Sequence, residues 1–233
     1  MLRSFIFKLI FYLGFSFLLV IFLPSIFFPK KIVSFGGKLS GYWAAFCLRL
    51  VLSTKIEVKG FNNIIKNEKF FIACTHQSEF ETYYLQTLYQ SPYFILKKEL
   101  LKIPIFGILL KKLGCISIDR NKISKENINF LINVENSVKK SKDPLIIFPQ
   151  GTRYKLHDRP NFKKGVERIY NFKNLKCQPI VINSGNTWPK HGNLIPNQKI
   201  IISILPAIDS NLESTNFLEM LQSIMYKELD KLI

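Results

Sequence analysis

The sequence predicts an α/β fold, a single domain with a mostly parallel sheet flanked by helices, preceded by an N-terminal membrane-associated helical segment. Three observations carry this. After Ser53, seven short apolar runs recur along the chain, several of them continuous rather than alternating; strands covered on both faces need that pattern. Polar stretches of helical character lie between them, and strands alternating with helices favour a parallel sheet. Before Ser53 stands an uncharged run far longer than any core strand.

That run comes first in the chain. Between Lys8 and Lys30 lie 21 residues without a charge, LIFYLGFSFLLVIFLPSIFFP, enough to cross a hydrocarbon core of ~30 Å. No small-residue cleavage site follows, so the segment does not read as a removed signal peptide. A second apolar segment, Phe35–Leu52, is interrupted by Lys38 and Arg49 and carries Tyr42 and Trp43, residues that favour the membrane interface. A spanning helix with an interfacial partner and a shallow helical hairpin both satisfy this pattern. Arg3 and Lys8 before the first segment balance Lys30 and Lys31 after it, so charge bias leaves the orientation open. The expected division is residues 1–53 for the membrane part and 54–233 for the globular domain.

In the globular part the predicted strands are Lys55–Lys59, Phe70–Cys74, Tyr93–Leu96, Cys115–Ile118, Leu145–Phe148, Pro179–Ile182 and Ile200–Leu205. Helical periodicity places Ile128, Leu131, Ile132 and Val138 on one stripe of Lys125–Lys140. Leu218, Leu221, Met225, Leu229 and Leu232 form a second stripe near the C-terminus; such stripes mark faces turned to a core. Lys155–Lys164, polar and holding Pro160, reads as a long loop.

Composition narrows the partners. Hydrophobic residues make up 48% of 233, Phe alone fills 21 positions, and the formal net charge is still +17. That combination suits an anionic lipid surface, where each Lys or Arg near the headgroups contributes about 1 kcal/mol. It also suits acidic soluble partners steered by a positive field. Nucleic acid is not an expected partner, because the basic residues are dispersed and no RNP, zinc-finger or basic-helix motif is present. Cys47, Cys74, Cys115 and Cys177 are widely separated, with no CxxC pair, and read as reduced thiols rather than a disulfide framework. No clustered ligand set points to a metal, and no cofactor is expected.

Chemistry concentrates in FFIACTHQSEFET. His76 falls just past an apolar strand and just before a helix, the place where open α/β sheets commonly hold reactive groups. Glu81 follows five residues later, about 140° around a continuous helix, so the two meet only if His76 sits on the entering loop. A carboxylate on one ring nitrogen would fix the tautomer and leave the other nitrogen free to take a proton from an alcohol. Two blander arrangements remain open: Ser78-Glu79-Phe80-Glu81 matches a capping box, and a histidine after a strand can be a satisfied core side chain. His157 and His191 fit no motif and are expected at the surface.

His76 and Glu81 are followed, in order, by KKELLKIPIFG (97–107), GCISIDR (114–120), FPQGTR (148–153) and PIVINSG (179–185). Together these blocks resemble the glycerolipid acyltransferases of the lysophosphatidate (1-acyl-sn-glycerol-3-phosphate) acyltransferase family, over most of residues 55–205. The resemblance implies transfer of a fatty acyl group from an acyl thioester, acyl-ACP or acyl-CoA, to the sn-2 hydroxyl of lysophosphatidate, giving phosphatidate. It implies His76 as general base, Glu81 as its orienting partner, and no acyl-enzyme, in keeping with the lack of a G-x-S-x-G elbow. The family's usual pattern has Asp where this chain has Glu81, and the extra methylene adds about 1.5 Å of reach.

The same resemblance marks Lys97, Arg120, Gln150, Gly151, Thr152 and Arg153 as acceptor-phosphate residues, and Pro179 as part of the acyl-donor region. Arginine suits a phosphate because its planar fork donates two parallel hydrogen bonds. The family commonly has Glu where this chain has Gln150, which can still hydrogen-bond. Another lysolipid acceptor, such as an ornithine lysolipid, would use the same base and donor chemistry. The expected location is the cell (inner) membrane, with the catalytic domain on its cytoplasmic face and anionic lipid around it.

Overall fold

The computed structural model describes residues 1–118, 126–172, 175–210 and 214–233. Its elements run α1 (Leu2–Phe22), α2 (Lys30–Leu52), β1 (Lys55–Lys59), β2 (Phe70–Cys74), α3 (Phe80–Leu88), β3 (Tyr93–Lys97) and α4 (Phe106–Lys112). There follow β4 (Ile116–Ile118), α5 (Glu126–Lys140), β5 (Leu145–Ile147), α6 (Gly165–Tyr170), β6 (Lys176–Ile182), β7 (Lys199–Ile204) and α7 (Ser214–Leu232). The strands form one sheet in the order β1-β7-β6-β2-β5-β3-β4. It is parallel throughout except where β6 meets β7.

The sheet separates two cores, and side-chain alternation along each strand decides which residue enters which. From β2, Ile72 and Cys74 enter one core while Phe71 and Ala73 enter the other. The first is closed by Phe80 and Leu85 of α3 together with Phe7, Phe11, Ala44, Leu48 and Leu52 of α1 and α2. The second is closed by Val134 of α5, Val166 and Ile169 of α6, and Phe217, Leu221, Met225 and Leu229 of α7. Burial on both faces explains why the strands read as unbroken apolar runs.

All seven predicted strands are present, with shifted ends that have local causes. β6 starts at Lys176, because Phe70 of β2 already pairs there; its polar positions hid the start. Pairing with β7 begins only at Ile180, one residue past Pro179, which has no N–H to offer a ladder. Cys115 stays outside β4 because its N–H closes α4 on the Leu110 carbonyl at 3.0 Å. On α5 the core face is Phe130, Val134 and Val138, whereas Ile132 is exposed. Both stripes have helical spacing, and only the docking of the sheet selects between them. The short helices α4 and α6 span too few residues to show a period.

The N-terminal helices form an antiparallel hairpin. Trp43 Nε1 donates to the Phe11 carbonyl at 3.1 Å, and its ring lies over Gly14. A Cβ there would sit 2.3 Å from the indole, so only glycine lets the two helices approach this closely. The buried stripe of α1, Ser4-Phe7-Phe11, faces the domain, where Phe7 and Phe11 meet Trp188 edge-on at 5.0 and 5.2 Å. Phe5, Leu9, Leu13, Phe17 and Val20 face outward, as do Phe35, Tyr42, Phe46 and Leu50 of α2. Leu2–Phe27 is long and apolar enough to cross a membrane, with 11% of its most apolar window buried.

Candidate active site

The site is built at the carboxyl ends of the central strands, where β2, β5 and β6 release their chains. Thr75 fastens the exit of β2. Its Oγ1 accepts from the Ile182 N–H at 2.9 Å, and its own N–H donates to the Ile180 carbonyl at 3.1 Å. His76 follows on the loop before α3, and that loop turns Glu81 of the first helical turn back toward the ring. His76 Nδ1 lies 3.4 Å from Glu81 Oε2, with 15% of the histidine side chain exposed and none of the glutamate. The ring therefore keeps an open side while its partner is sealed from water.

A buried carboxylate is stable only when its oxygens are satisfied. Glu81 Oε1 accepts the N–H groups of Gln77 and Ser78 at 3.1 Å and the Ser184 hydroxyl, and Oε2 also accepts from Ser78 at 3.1 Å. The capping reach to Ser78 and the contact with His76 thus occur in the same side chain. The imidazole plane is set by Phe148, stacked at 3.9 Å between centroids and 15° between planes. Phe148 ends outside β5 because it leaves the sheet to cover this ring.

The FPQGTR loop is laced to the histidine loop. The Tyr154 N–H donates to the His76 carbonyl at 3.0 Å. The Gly151 N–H closes a turn on the Phe148 carbonyl at 2.9 Å, and its φ of +78° is one that glycine adopts without strain. Gln150 is buried. It accepts the His76 N–H at 2.6 Å and donates to the Tyr226 hydroxyl at 3.5 Å. Arg153 is partly exposed, its Nη1 3.0 Å from Glu79 Oε1. Thr152 is part-buried beside it.

Of the other predicted residues, Lys97 is exposed at the end of β3, on the same strand-end edge of the sheet. Arg120 lies outside the described residues. Pro179 is buried inside β6 opposite Ala73, its carbonyl accepting the Leu205 N–H at 3.0 Å. His157 and His191 are exposed. Sequence reasoning missed Ser184, Glu79 and Phe148. Ser184 stood just past the predicted strand Pro179–Ile182, and Glu79 was visible only as part of a capping box.

Comparison with known proteins gives the family. The profile of the family described as Acyltransferase matches residues 55–183, more than half of the chain. The chain belongs to the acyltransferase family. A relative from Pseudomonas aeruginosa, named 1-acyl-sn-glycerol-3-phosphate acyltransferase, is 33% identical over 153 residues, 64% of this chain and 59% of that protein. The chain thus spans about three fifths of that relative's length. One of the same name from Helicobacter pylori is 33% identical over 160 residues, 67% of each chain. The crystal structure of the 1-acyl-sn-glycerophosphate acyltransferase from Thermotoga maritima shares the fold, with a TM-score of 0.81 at 20% identity, covering 99% of this chain and 96% of that one.

Within this member of the acyltransferase family, Cys74 stands two residues from His76 without the makings of a Cys–His nucleophile. Burial pushes its thiol well above the usual range, and the nearby Glu81 charge pushes the same way; a thiol must ionise to attack. Gln150 fixes the backbone of the histidine loop rather than its ring. Gln150→Ala should therefore strand the part-buried His76 N–H and lower stability by about 1–2 kcal/mol. Gln150→Glu, which keeps an acceptor there, should lose less. Denaturant unfolding in detergent checks both.

Proposed function

We propose that this chain transfers a fatty acyl group from an acyl thioester to the sn-2 hydroxyl of 1-acyl-glycerol-3-phosphate, forming phosphatidate. The observation that carries the reading is the slightly exposed His76 ring backed by a sealed Glu81, beside a loop that presents Arg153. Nδ1 faces the carboxylate, so Nε2 is the nitrogen left for substrate. As the acceptor oxygen attacks the thioester carbonyl, Nε2 takes its proton and Glu81 stabilises the imidazolium. The tetrahedral adduct then collapses, the C–S bond breaks, and the departing sulfur recovers the proton from His76. Atoms balance without an acyl-enzyme.

Arg153 is assigned to the acceptor phosphate, with Gly151 and Thr152 shaping its loop and Lys97 adding positive charge from the end of β3; Arg120 is assigned to the same phosphate on the family resemblance alone. The outer face of the hairpin, residues 1–53, rests in the lipid surface that holds the acceptor, since exposed apolar stripes of this extent mark interaction surfaces. Residues 54–233 then work on the cytoplasmic side of the cell membrane, where soluble acyl thioesters circulate, and the net charge of +17 favours anionic headgroups.

A panel of acceptors and acyl-ACP or acyl-CoA donors, offered to the detergent-solubilised protein, tests the assignment. Lysophosphatidate should be acylated and its dephosphorylated counterpart should not; equal use of both would remove the phosphate from the reading. Arg153→Ala should raise KM for lysophosphatidate about ten- to a hundredfold, the worth of a charge-assisted hydrogen bond, with a much smaller change in kcat.

A further inference from the structure

Tyr12, Glu79 and Arg153 form a chain of contacts that the reaction above does not use. Glu79 Oε1 accepts from Arg153 Nη1 at 3.0 Å, and Oε2 accepts from the Tyr12 hydroxyl at 3.0 Å. Glu79 is held at the mouth of α3, where its carbonyl accepts the Thr82 hydroxyl at 2.7 Å and the Thr82 N–H at 3.1 Å. Tyr12 comes from the hairpin, its ring edge-on to the buried Phe11 at 5.1 Å. Both carboxylate oxygens are therefore committed, one toward the hairpin and one toward the FPQGTR loop.

We propose, on the reading that Arg153 holds the acceptor phosphate, that Glu79 is a positioning residue for that arginine and that the Tyr12 hydroxyl is its second anchor. An arginine on a loop carries many rotamers, and a phosphate that must select one binds more weakly. Among the described residues Glu79 engages Nη1 alone, which leaves the Nε and Nη2 edge of the fork for a bidentate phosphate contact. The pair is part-exposed and adds little to stability. What it supplies is orientation. With a single anchor Glu79 would follow Arg153 from rotamer to rotamer; with Tyr12 on its other oxygen it cannot. The opposing effect is repulsion between Glu79 and the incoming phosphate. It is moderated by solvent screening and by the two donors already on the carboxylate. The two effects have opposite signs in KM.

The test compares wild type, Tyr12→Phe, Glu79→Ala, Glu79→Gln, Arg153→Ala and the Glu79→Ala/Arg153→Ala double variant in detergent micelles. It records kcat and KM for lysophosphatidate, the inhibition constant of inorganic phosphate, and Tm. Glu79→Ala should raise KM and the phosphate inhibition constant about fivefold with kcat within about twofold, and Tyr12→Phe should raise both about two- to threefold. Glu79→Gln, still an acceptor for both partners, should recover part of the loss. In the Arg153→Ala background, removing Glu79 should raise KM no further, an outcome that a role in general stability would not produce. A fall in KM, or no change, on Glu79→Ala overturns the inference. Should Arg153→Ala itself leave KM unchanged, the phosphate reading fails instead, so the two failures are separable.

Discussion

His76→Ala is expected to lower kcat about a thousandfold or more while the protein stays folded. A positioned general base contributes roughly 10²–10⁴ to rate, and among the described residues the titratable side chain paired with the ring is Glu81, whose exposure is zero. Cys74 is buried with its thiol pushed up by desolvation and cannot substitute. The fold should tolerate the change. The hydrogen bonds of the loop run through the His76 backbone, to Gln150 and Tyr154, and alanine keeps both. Glu81 likewise keeps its bonds to Gln77, Ser78 and Ser184. Thiol release from the acyl thioester measures turnover, and thermal unfolding confirms that Tm moves by only a few degrees. Activity within tenfold of wild type would assign proton transfer to another group.

Which parts of this site were legible beforehand follows from distance along the chain. Phe70–Cys74 was readable as a strand because burial on both faces forces an unbroken apolar run. The helix of α3 was readable because Ser78 and Glu81 sit at local spacing. His76 and Glu81 were legible as residue types, but their relation was not, since five residues of spacing fit a cap as well as a pair. The structure resolves the alternatives by using one carboxylate for both contacts. By contrast, Ser184 reaches Glu81 across 103 residues and Gln150 reaches His76 across 74. No local pattern encodes such contacts; they exist because β6 and β5 are the neighbours of β2 in the sheet. The predicted stripe of α5 met the core at Val138 and missed it at Ile132 for a related reason, because two stripes of equal periodicity are told apart only by the surface they meet.

The hairpin is bound into the same logic. Its length and greasiness were plain, yet the sequence left its relation to the domain open. Phe7 and Phe11 answer that through Trp188, and Phe11 again through Tyr83 of α3 at 5.2 Å. On the proposed reading of the hairpin as the lipid-facing element, the core that it shares with α3 holds the loop bearing His76 at a fixed height above the lipid. That arrangement suits an acceptor whose hydroxyl lies just outside the hydrocarbon region.

Glu81→Gln should be nearly as damaging as loss of the histidine, with kcat reduced about a hundred- to ten-thousandfold and KM little changed, the range set by triad carboxylates. The amide oxygen is expected to stay where Oε1 is, because three donors converge there: the Gln77 and Ser78 N–H groups and the Ser184 hydroxyl. The amide nitrogen then takes the place of Oε2 and donates toward His76 Nδ1. That contact places the imidazole proton on Nε2, the nitrogen that must be bare to accept from the acceptor hydroxyl. The same nitrogen also confronts the Ser78 N–H, which keeps the oxygen at Oε1 but loses the second of its two acceptors, so stability should fall by about 1 kcal/mol. Imidazole ¹⁵N chemical shifts separate these effects: in wild type the neutral ring should carry its proton on Nδ1, and in Glu81→Gln on Nε2. The hydrogen bond that the Ser184 hydroxyl donates to Glu81 Oε1 can be removed on its own by Ser184→Ala, which leaves the carboxylate and the tautomer intact and should cost far less in kcat. If the ¹⁵N shifts show the same tautomer in wild type and Glu81→Gln while kcat collapses, Glu81 acts by charge on the imidazolium rather than by setting the tautomer.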